Sequence, residues 1–280
     1  MAEWSTFLAA VAVLLVVLLV LARISAAVLD DAIASADEST EYSPEPSRGP
    51  PAQSTDEPIG SGHTERTTVF DEPAGSPSVH QQPTERDQPV LSTPALLANV
   101  VGTQGLFAVI LLAVAWYTEI PAWAFGLAAD ARSIAAVGVG MLVGVVFYIL
   151  SEATVRVGRR YGMEPPTALR EALAPETPAG WIVLFAVVLP VIAGFEELLF
   201  RGALIGVVHA GFEVPVWLLA VGSSVVFGLG HGAQGRVGIL VTGLLGLGLA
   251  AVFIWTGNLL VVIVAHYVIN ALEFAVHERD

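Results

Sequence analysis

The chain lacks cysteine and lysine and is poor in charge. Among its 280 residues there is no cysteine, so disulfides, thiolate catalysis and a cysteine zinc site are excluded. All 12 basic residues are arginine, and only 14% of residues are charged while 55% are hydrophobic. An ordinary soluble domain carries much more charge than this. The composition therefore predicts a protein that crosses a membrane several times.

Three catalytic signatures are also missing. The sequence contains no Gly-x-Ser-x-Gly, no His-Glu-x-x-His and no Walker loop. Each of these patterns places a nucleophile, a zinc ligand pair or a phosphate-binding backbone in the geometry that its chemistry needs. Serine-hydrolase, zincin and P-loop ATPase functions therefore lack support.

The net charge of −14 is concentrated in one segment. Asp30 to Gln88 holds thirteen acidic residues and three arginines, a net charge of −10. Residues 30–93 are rich in Pro, Ser, Thr and Gly and have hardly an aromatic side chain, so they cannot bury enough surface to fold. We predict a disordered acidic linker, whose charge argues against nucleic-acid binding.

Seven apolar segments flank this linker. The first, Trp4 to Ala22, is long enough to span a bilayer. No positive side chain precedes it, which favours a retained anchor over residues 1–29 rather than a cleaved signal peptide. The other six fall in a domain over residues 94–280, and they lack the alternation of membrane strands. Their cores are about 96–117, 133–150, 181–208, 214–230, 237–255 and 259–276. The expected fold class is all-α, a polytopic transmembrane helix bundle of about seven spans.

The distribution of arginine predicts the orientation. The loop joining the third and fourth spans carries Arg156, Arg159, Arg160 and Arg170, whereas the 119–132 loop is nearly free of positive charge. The positive-inside rule then places the linker and the C-terminus in the cytoplasm and the N-terminus outside. The predicted location is the cell membrane, with the lipid bilayer as a partner.

Charged residues interrupt the fourth span in the stretch GFEELLFRG, Gly194 to Gly202. Charges at such depth are costly and mark functional sites by default. Glu197 and Arg201 are i,i+4 neighbours and are predicted to pair. Glu196 is turned by about 100° from Glu197, so it needs a partner from another helix.

Histidines in two other spans are the candidate partners. His231 ends the fifth span, and its depth differs from that of Glu196 by about 4–5 Å when both are counted from the intervening turn. His266 and Asn270 form an i,i+4 pair in the seventh span. We expect these groups to meet in the cytoplasmic half of the bundle. Taken singly, each could instead be a structural hydrogen-bonding group between helices.

Three motifs in this order resemble those of the CAAX-protease and bacteriocin-processing (CPBP) family of intramembrane proteases, also called type II CAAX prenyl endopeptidases. The motifs are Glu196-Glu197-x-x-x-Arg201, Phe227-x-x-x-His231 and His266-x-x-x-Asn270. The resemblance covers about residues 181–276. It implies hydrolysis of peptide bonds of membrane-anchored or hydrophobic peptide substrates, as in trimming of prenylated CAAX tails or maturation of hydrophobic peptides.

The resemblance also implies a role for each motif residue. The implied roles are water activation by Glu196 and His231, oxyanion stabilisation by His266 and Asn270, and structural support by Glu197, Arg201 and Phe227. Fixed donors shielded from bulk water stabilise developing negative charge strongly, which agrees with the second of these roles.

The sequence leaves the involvement of a metal open. Glu196, His231 and His266 are a permissible ligand set for catalytic zinc with an open water position. Because their estimated depths differ by several ångströms, a glutamate–histidine mechanism without a tightly held metal is favoured.

Two other classes of function stay open. Intramembrane glutamate and histidine could relay protons in a proton-coupled transporter, although the spans show no evident inverted repeat. A non-catalytic immunity or scaffold protein is the other alternative. Because the motif-bearing spans are complete without the anchor and linker, we also predict that residues 1 to about 92 are dispensable for activity.

Overall fold

The structure is a computed structural model that describes residues 2–41, 92–127, 133–162 and 168–278. Helix is the regular secondary structure throughout these ranges, which confirms the predicted fold class. Short 3₁₀ turns lie at Ala122–Phe125 and Gly232–Gln234. The longer elements are α1 Trp4–Glu41, α2 Thr93–Tyr117, α3 Ser133–Arg160, α4 Ala168–Leu173, α5 Pro178–Phe212, α6 Val216–Gly230, α7 Gly235–Thr256 and α8 Leu259–His277.

Six of the described helices are long and apolar enough to cross a membrane, namely α1, α2, α3, α5, α7 and α8. The remaining predicted span, the fifth, corresponds to α6, which has only 15 residues. Large apolar side chains remain exposed on the outside of the bundle, among them Ile134 at 87% and Trp255 at 88%. On helices of this length and hydropathy, such surface indicates contact with lipid. The chain is an integral membrane protein.

The chain divides into two units. Met1–Ile33 and Leu91–Asp280 form one compact unit, and Ala34–Val90 form the other. Helix α1 continues to Glu41 and therefore reaches past residue 30, where the linker was predicted to begin. Residues 42–91 of that predicted linker lie outside the described residues, and α2 begins at Thr93, the last residue of the predicted linker. The proposed domain boundaries stay predictions.

The first half of α1 packs into the hydrophobic core of the larger unit. The ring of Phe7 meets that of Phe125 edge-on, with centroids 5.8 Å apart. The backbone N–H of Glu3 donates to the carbonyl of Thr118 at 2.9 Å. The buried side chains of this half are Phe7, Val11 and Leu14. These contacts argue against the expectation that residues 1–92 are dispensable. Sequence alone could not show this, because a span that faces lipid and a span that packs against protein have the same hydropathy.

Glycines bring α3 close to α8. A methyl group built at Gly140 would lie 2.7 Å from the carbonyl oxygen of Val261, and one at Gly144 would lie 2.7 Å from that of Ala265. Small residues at such contacts let helix backbones approach in a membrane, where no hydrophobic force drives helices together. The close contact fixes the helix that carries His266.

The end of α8 is held by charged side chains of two other elements. Arg170 of α4 donates to Glu273 at 2.5 Å and to Glu278 at 2.6 Å. The Nε2 atom of His277 lies 2.9 Å from a carboxylate oxygen of Glu152 on α3. These contacts place the arginine-rich loop at the same end of the bundle as the end of α8, while the orientation in the membrane stays a prediction.

Candidate active site

Helix α5 contains two widened, π-helical turns. The first, Leu184–Val188, ends two residues before Pro190, whose missing N–H and ring interrupt an ordinary helical ladder. The second, Leu198–Val207, begins where the pair of glutamates ends. The hydroxyl of Ser223 on α6 donates to the carbonyl of Phe200 at 2.7 Å and satisfies an acceptor in this second turn. Turns of this kind are frequent at functional sites.

The predicted ion pair between Glu197 and Arg201 is present. Nη1 of Arg201 donates to Oε1 of Glu197 at 2.6 Å, and both side chains are at most 1% exposed. Nη2 of Arg201 donates to the carbonyl of Gly246 at 2.9 Å, and the guanidinium lies 4.7 Å from the centroid of the Phe227 ring. A buried ion pair overcomes its desolvation cost only with additional contacts of this type.

His266 lies between the two glutamates. Its Nδ1 atom is 2.7 Å from Oε1 of Glu197, the same oxygen that Arg201 contacts. Because the carboxylate oxygen can only accept, Nδ1 carries the proton and Nε2 of the neutral ring carries the lone pair. That Nε2 atom is 3.8 Å from Oε2 of Glu196. The sequence predicted the Arg201 partner of Glu197 but not the His266 partner.

Glu196 keeps one carboxylate oxygen without a partner. Its side chain is 10% exposed, and Oε2 is buried with no hydrogen bond from any described residue. The partner expected from another helix is His266, although 3.8 Å is too long for a hydrogen bond. The unpaired oxygen and the lone pair of the imidazole therefore face each other across a short gap.

His231 does not reach Glu196 in the described part of the chain. It follows the last residue of α6, and its ring turns back onto that helix, where Nδ1 donates to the carbonyl of Phe227 at 2.8 Å. The ring centroids of His231 and Phe227 are 4.6 Å apart. His266, rather than His231, is the imidazole within 4 Å of Glu196. Sequence spacing alone could not separate these two histidines, because each matches Glu196 in approximate depth.

The short length of α6 places His231 inside the thickness of the membrane. A helix of 15 residues is about 22 Å long, whereas the hydrocarbon core is about 30 Å thick. If α6 begins at one boundary of the hydrocarbon core, at the turn after α5, its other end stops about 8 Å short of the opposite boundary. Non-helical backbone at that depth must be buried by protein or line a water-filled cavity. His231, at the end of α6, is only partly buried.

Asn270 lies one helical turn after His266 and is half-buried. Its side chain makes no hydrogen bond with any described residue. The carboxamide can therefore donate to a ligand, but the structure does not bring it into contact with the other motif residues.

The possible zinc ligands do not converge. Within the described residues, the ligand atoms of Glu196, His231 and His266 do not all lie within 4.8 Å of one another. His266 lies 3.8 Å from Glu196, so His231 is the ligand that is out of place. Coordination by all three would require the end of α6 to move, because zinc–ligand distances are only about 2.0–2.2 Å.

A different group does meet that distance. Ligand atoms of Glu152, Glu273 and His277 lie within 4.8 Å of one another at the end of α8. Both carboxylates already have cationic partners, since Arg156 pairs with Glu152 and Arg170 pairs with Glu273. This cluster is explained as a network that holds helices together.

Sequence reasoning missed one further polar side chain, Gln104 of α2. Its Oε1 atom is buried and receives no hydrogen bond from any described residue. The signal was a single amide inside an apolar run, which is expensive at membrane depth and therefore noteworthy without any motif.

Comparison with known families agrees with the resemblance drawn from the motifs. The sequence pattern of the family described as type II CAAX prenyl endopeptidase Rce1-like matches residues 178–272. The matched stretch begins with α5 and ends within α8, so it includes all seven motif residues, while α1 to α4 lie outside it. Comparison with curated proteins and with solved structures gave no match.

Proposed function

Because residues 178–272 carry the sequence pattern of the type II CAAX prenyl endopeptidases, a family of membrane proteases, we propose that this chain is an intramembrane endopeptidase. Its proposed substrates are membrane-anchored proteins with a prenylated CAAX-type tail, or hydrophobic peptides. The observation that supports the proposal best is the position of His266, which bonds Glu197 and faces the unpaired oxygen of Glu196.

The proposed nucleophile is a water molecule held by Glu196 and His266. Oε2 of Glu196 and Nε2 of His266 are both acceptors and lie 3.8 Å apart. A water about 2.8 Å from each atom can donate one hydrogen to each. Glu197 keeps Nδ1 of His266 protonated and so keeps the lone pair on the side that faces the water. Arg201 balances the charge of Glu197.

Proton transfer then follows from the same geometry. Glu196 takes the proton as the water oxygen forms a bond with the carbonyl carbon of the scissile peptide. The carbonyl oxygen becomes an oxyanion, and the amide of Asn270 is the proposed donor to it. Glu196 returns the proton to the leaving nitrogen as the peptide C–N bond breaks. The products are a carboxylic acid and an amine, which exchange a proton to give a carboxylate and an ammonium group, and Glu196 is restored.

His231 is proposed as a second proton acceptor at the open end of the site. Its Nδ1–H donates to the carbonyl of Phe227, so Nε2 of the neutral ring carries the lone pair. An acceptor at this place can receive a hydrogen bond from water or from a substrate N–H, but it cannot donate one to an oxyanion. The ring has to approach Glu196 when substrate binds, as catalytic contacts often tighten only in the complex.

Peptide cleavage by purified protein tests the proposal. The substrate is an internally quenched, farnesylated peptide with a CAAX ending, and mass spectrometry identifies the bond that is cut. We expect cleavage by the wild type and by Glu213→Gln, which changes an exposed carboxylate at the far end of α5, and none by Glu196→Gln. Proton flux across liposomes that is present with the wild type and lost in Glu196→Gln, without cleavage of any peptide, would identify a proton-coupled transporter instead.

A further inference from the structure

Gln104 has a polar side chain whose presence does not stabilise the fold. It lies in the middle of α2, and its buried Oε1 atom has no partner among the described residues. A buried polar atom that loses its water partners without gaining others costs about 1–3 kcal/mol. Leucine at this position would remove that cost. An unsatisfied group of this kind calls for a ligand that completes it.

The packing of α2 places Gln104 at nearly the same level along the helix bundle as Glu196, the proposed catalytic base. Three residues after Gln104, the ring of Phe107 stacks on that of Phe195, with centroids 6.3 Å apart. Phe195 directly precedes Glu196, and three residues correspond to about 4.5 Å along a helix. Gln104 therefore lies within about one helical turn of the level of Glu196.

The contacts on the other side of Gln104 lead to α8. Val100 and Val101, one turn before Gln104, pack in the same cluster as Leu184 of α5 and Ala271 of α8. Ala271 follows Asn270, the proposed oxyanion donor. Gln104 thus lies between the levels of the proposed base and of the proposed oxyanion donor, on a helix outside the matched family pattern.

Glycines with no neighbouring side chain lie close to both Gln104 and Glu196. A methyl group built at Gly105 or at Gly194 would meet no atom within 4 Å, and both glycines are half-buried. Gly105 adjoins Gln104, and Gly194 precedes Glu196 by two residues. The backbone at these two glycines is therefore not covered by any described residue.

We propose that Gln104 binds the main chain of the peptide substrate next to the scissile bond. Its carboxamide oxygen accepts a hydrogen bond from a peptide N–H, and its NH₂ group can donate to a peptide carbonyl. The side-chain amide is therefore complementary to a backbone amide of the substrate. A peptide at membrane depth has no water to satisfy its backbone groups and needs such partners from protein. The inference rests on the proposed peptidase function and adds a substrate-binding residue to it.

Replacement of the amide by a side chain of similar size is the test. With the quenched farnesylated CAAX peptide, Gln104→Leu should raise KM about tenfold, because one well-placed hydrogen bond is lost, while kcat changes by less than about twofold. The thermal unfolding temperature should stay the same or rise, because an unsatisfied buried group is removed. Thr103→Val, a change of the neighbouring polar residue on another face of α2, should leave KM and unfolding temperature unchanged.

Binding to an inactive enzyme separates this inference from the proposed function. The intact peptide should bind Glu196→Gln about tenfold more tightly than it binds the double variant that also carries Gln104→Leu. A wild-type KM in Gln104→Leu, or a lower unfolding temperature with no change in peptide affinity, would show a structural role and overturn the inference while cleavage by wild type stands. Absence of cleavage by the wild type would overturn the peptidase proposal itself.

Discussion

Nδ1 of His266 lies 2.7 Å from Oε1 of Glu197 and thereby joins α8 to α5. The same carboxylate oxygen accepts from Arg201 at 2.6 Å. Glu197 therefore fixes both a buried cation and the imidazole that faces Glu196. The two adjacent glutamates have different tasks, because Oε1 of Glu197 is bonded to both Arg201 and His266, whereas no hydrogen bond from a described residue reaches Oε2 of Glu196.

Glu197→Gln should reduce both stability and activity. The neutral amide leaves the buried Arg201 without its counterion, which costs about 3–5 kcal/mol when one partner of a buried pair is removed. It also removes the carboxylate that holds the proton on Nδ1 of His266. Thermal unfolding in detergent and kcat on the farnesylated CAAX peptide measure the two effects, with Glu213→Gln as control. Wild-type values for both would refute the role assigned to Glu197.

Helix α1 should be required for stability of the protease domain. Phe7→Ala removes an aromatic side chain that is 1% exposed, a change that costs about 3–5 kcal/mol in a packed core. Val13→Ala alters a side chain on the lipid-facing side of the same helix, 65% exposed, and should have little effect. Thermal unfolding of the two variants decides the point. Equal behaviour of both would restore the view that the first span is a dispensable anchor.

Arg170 should hold α4 to the end of α8 at all ordinary pH values. Burial lowers the pKa of Arg170, but its hydrogen bond with Glu278 and the charge of Glu273 raise that pKa more, and the net shift is upward. Stability from a group with a raised pKa is present below its ordinary pKa and is lost only as pH rises through the higher value in the folded state. Arg170→Ala should therefore lower the unfolding temperature by the same amount at about pH 7 and about pH 9.

Arg159→Ala is the matched control for that measurement, because Arg159 is exposed and has no ion pair within the described residues. Exposed charges of this kind contribute at most about 1 kcal/mol. An unfolding temperature of Arg170→Ala that equals that of Arg159→Ala would show that the contacts of Arg170 do not stabilise α8.

Catalysis should not depend on a tightly held zinc ion. The three possible ligands do not come within 4.8 Å of one another in the described structure, and Glu196 is needed as the base in the proposed mechanism. Metal analysis of active protein should give much less than one zinc per chain. Near-stoichiometric zinc whose removal abolishes cleavage, and whose return restores it, would replace the glutamate–histidine mechanism by a zinc mechanism.

Hydropathy was sufficient to predict the helices, and i,i+4 spacing was sufficient to predict the local ion pair. Seven apolar runs appear as seven apolar helices, because in lipid the backbone must satisfy its own hydrogen bonds. Glu197 and Arg201 could be paired from sequence because i,i+4 neighbours meet whatever the tertiary structure.

Contacts that depend on packing between helices could not be predicted. Spacing along the chain left His231 and His266 equivalent as partners of Glu196, and only the rotation and register of α8 bring His266 to within 4 Å. The buried state of Phe7 and the unpaired amide of Gln104 follow from the same packing. A depth calculation fixes position along a helix but not the direction in which a side chain points.

The activity of Glu196→Gln tests the central claim most directly. The amide keeps the size of the side chain, and Oε2 has no hydrogen bond within the described structure to lose, so the unfolding temperature should stay close to wild type. Because the amide cannot take a proton from water, cleavage of the farnesylated CAAX peptide should fall by at least about 10²–10⁴-fold. A folded Glu196→Gln variant that cleaves the peptide at the wild-type rate would contradict the account.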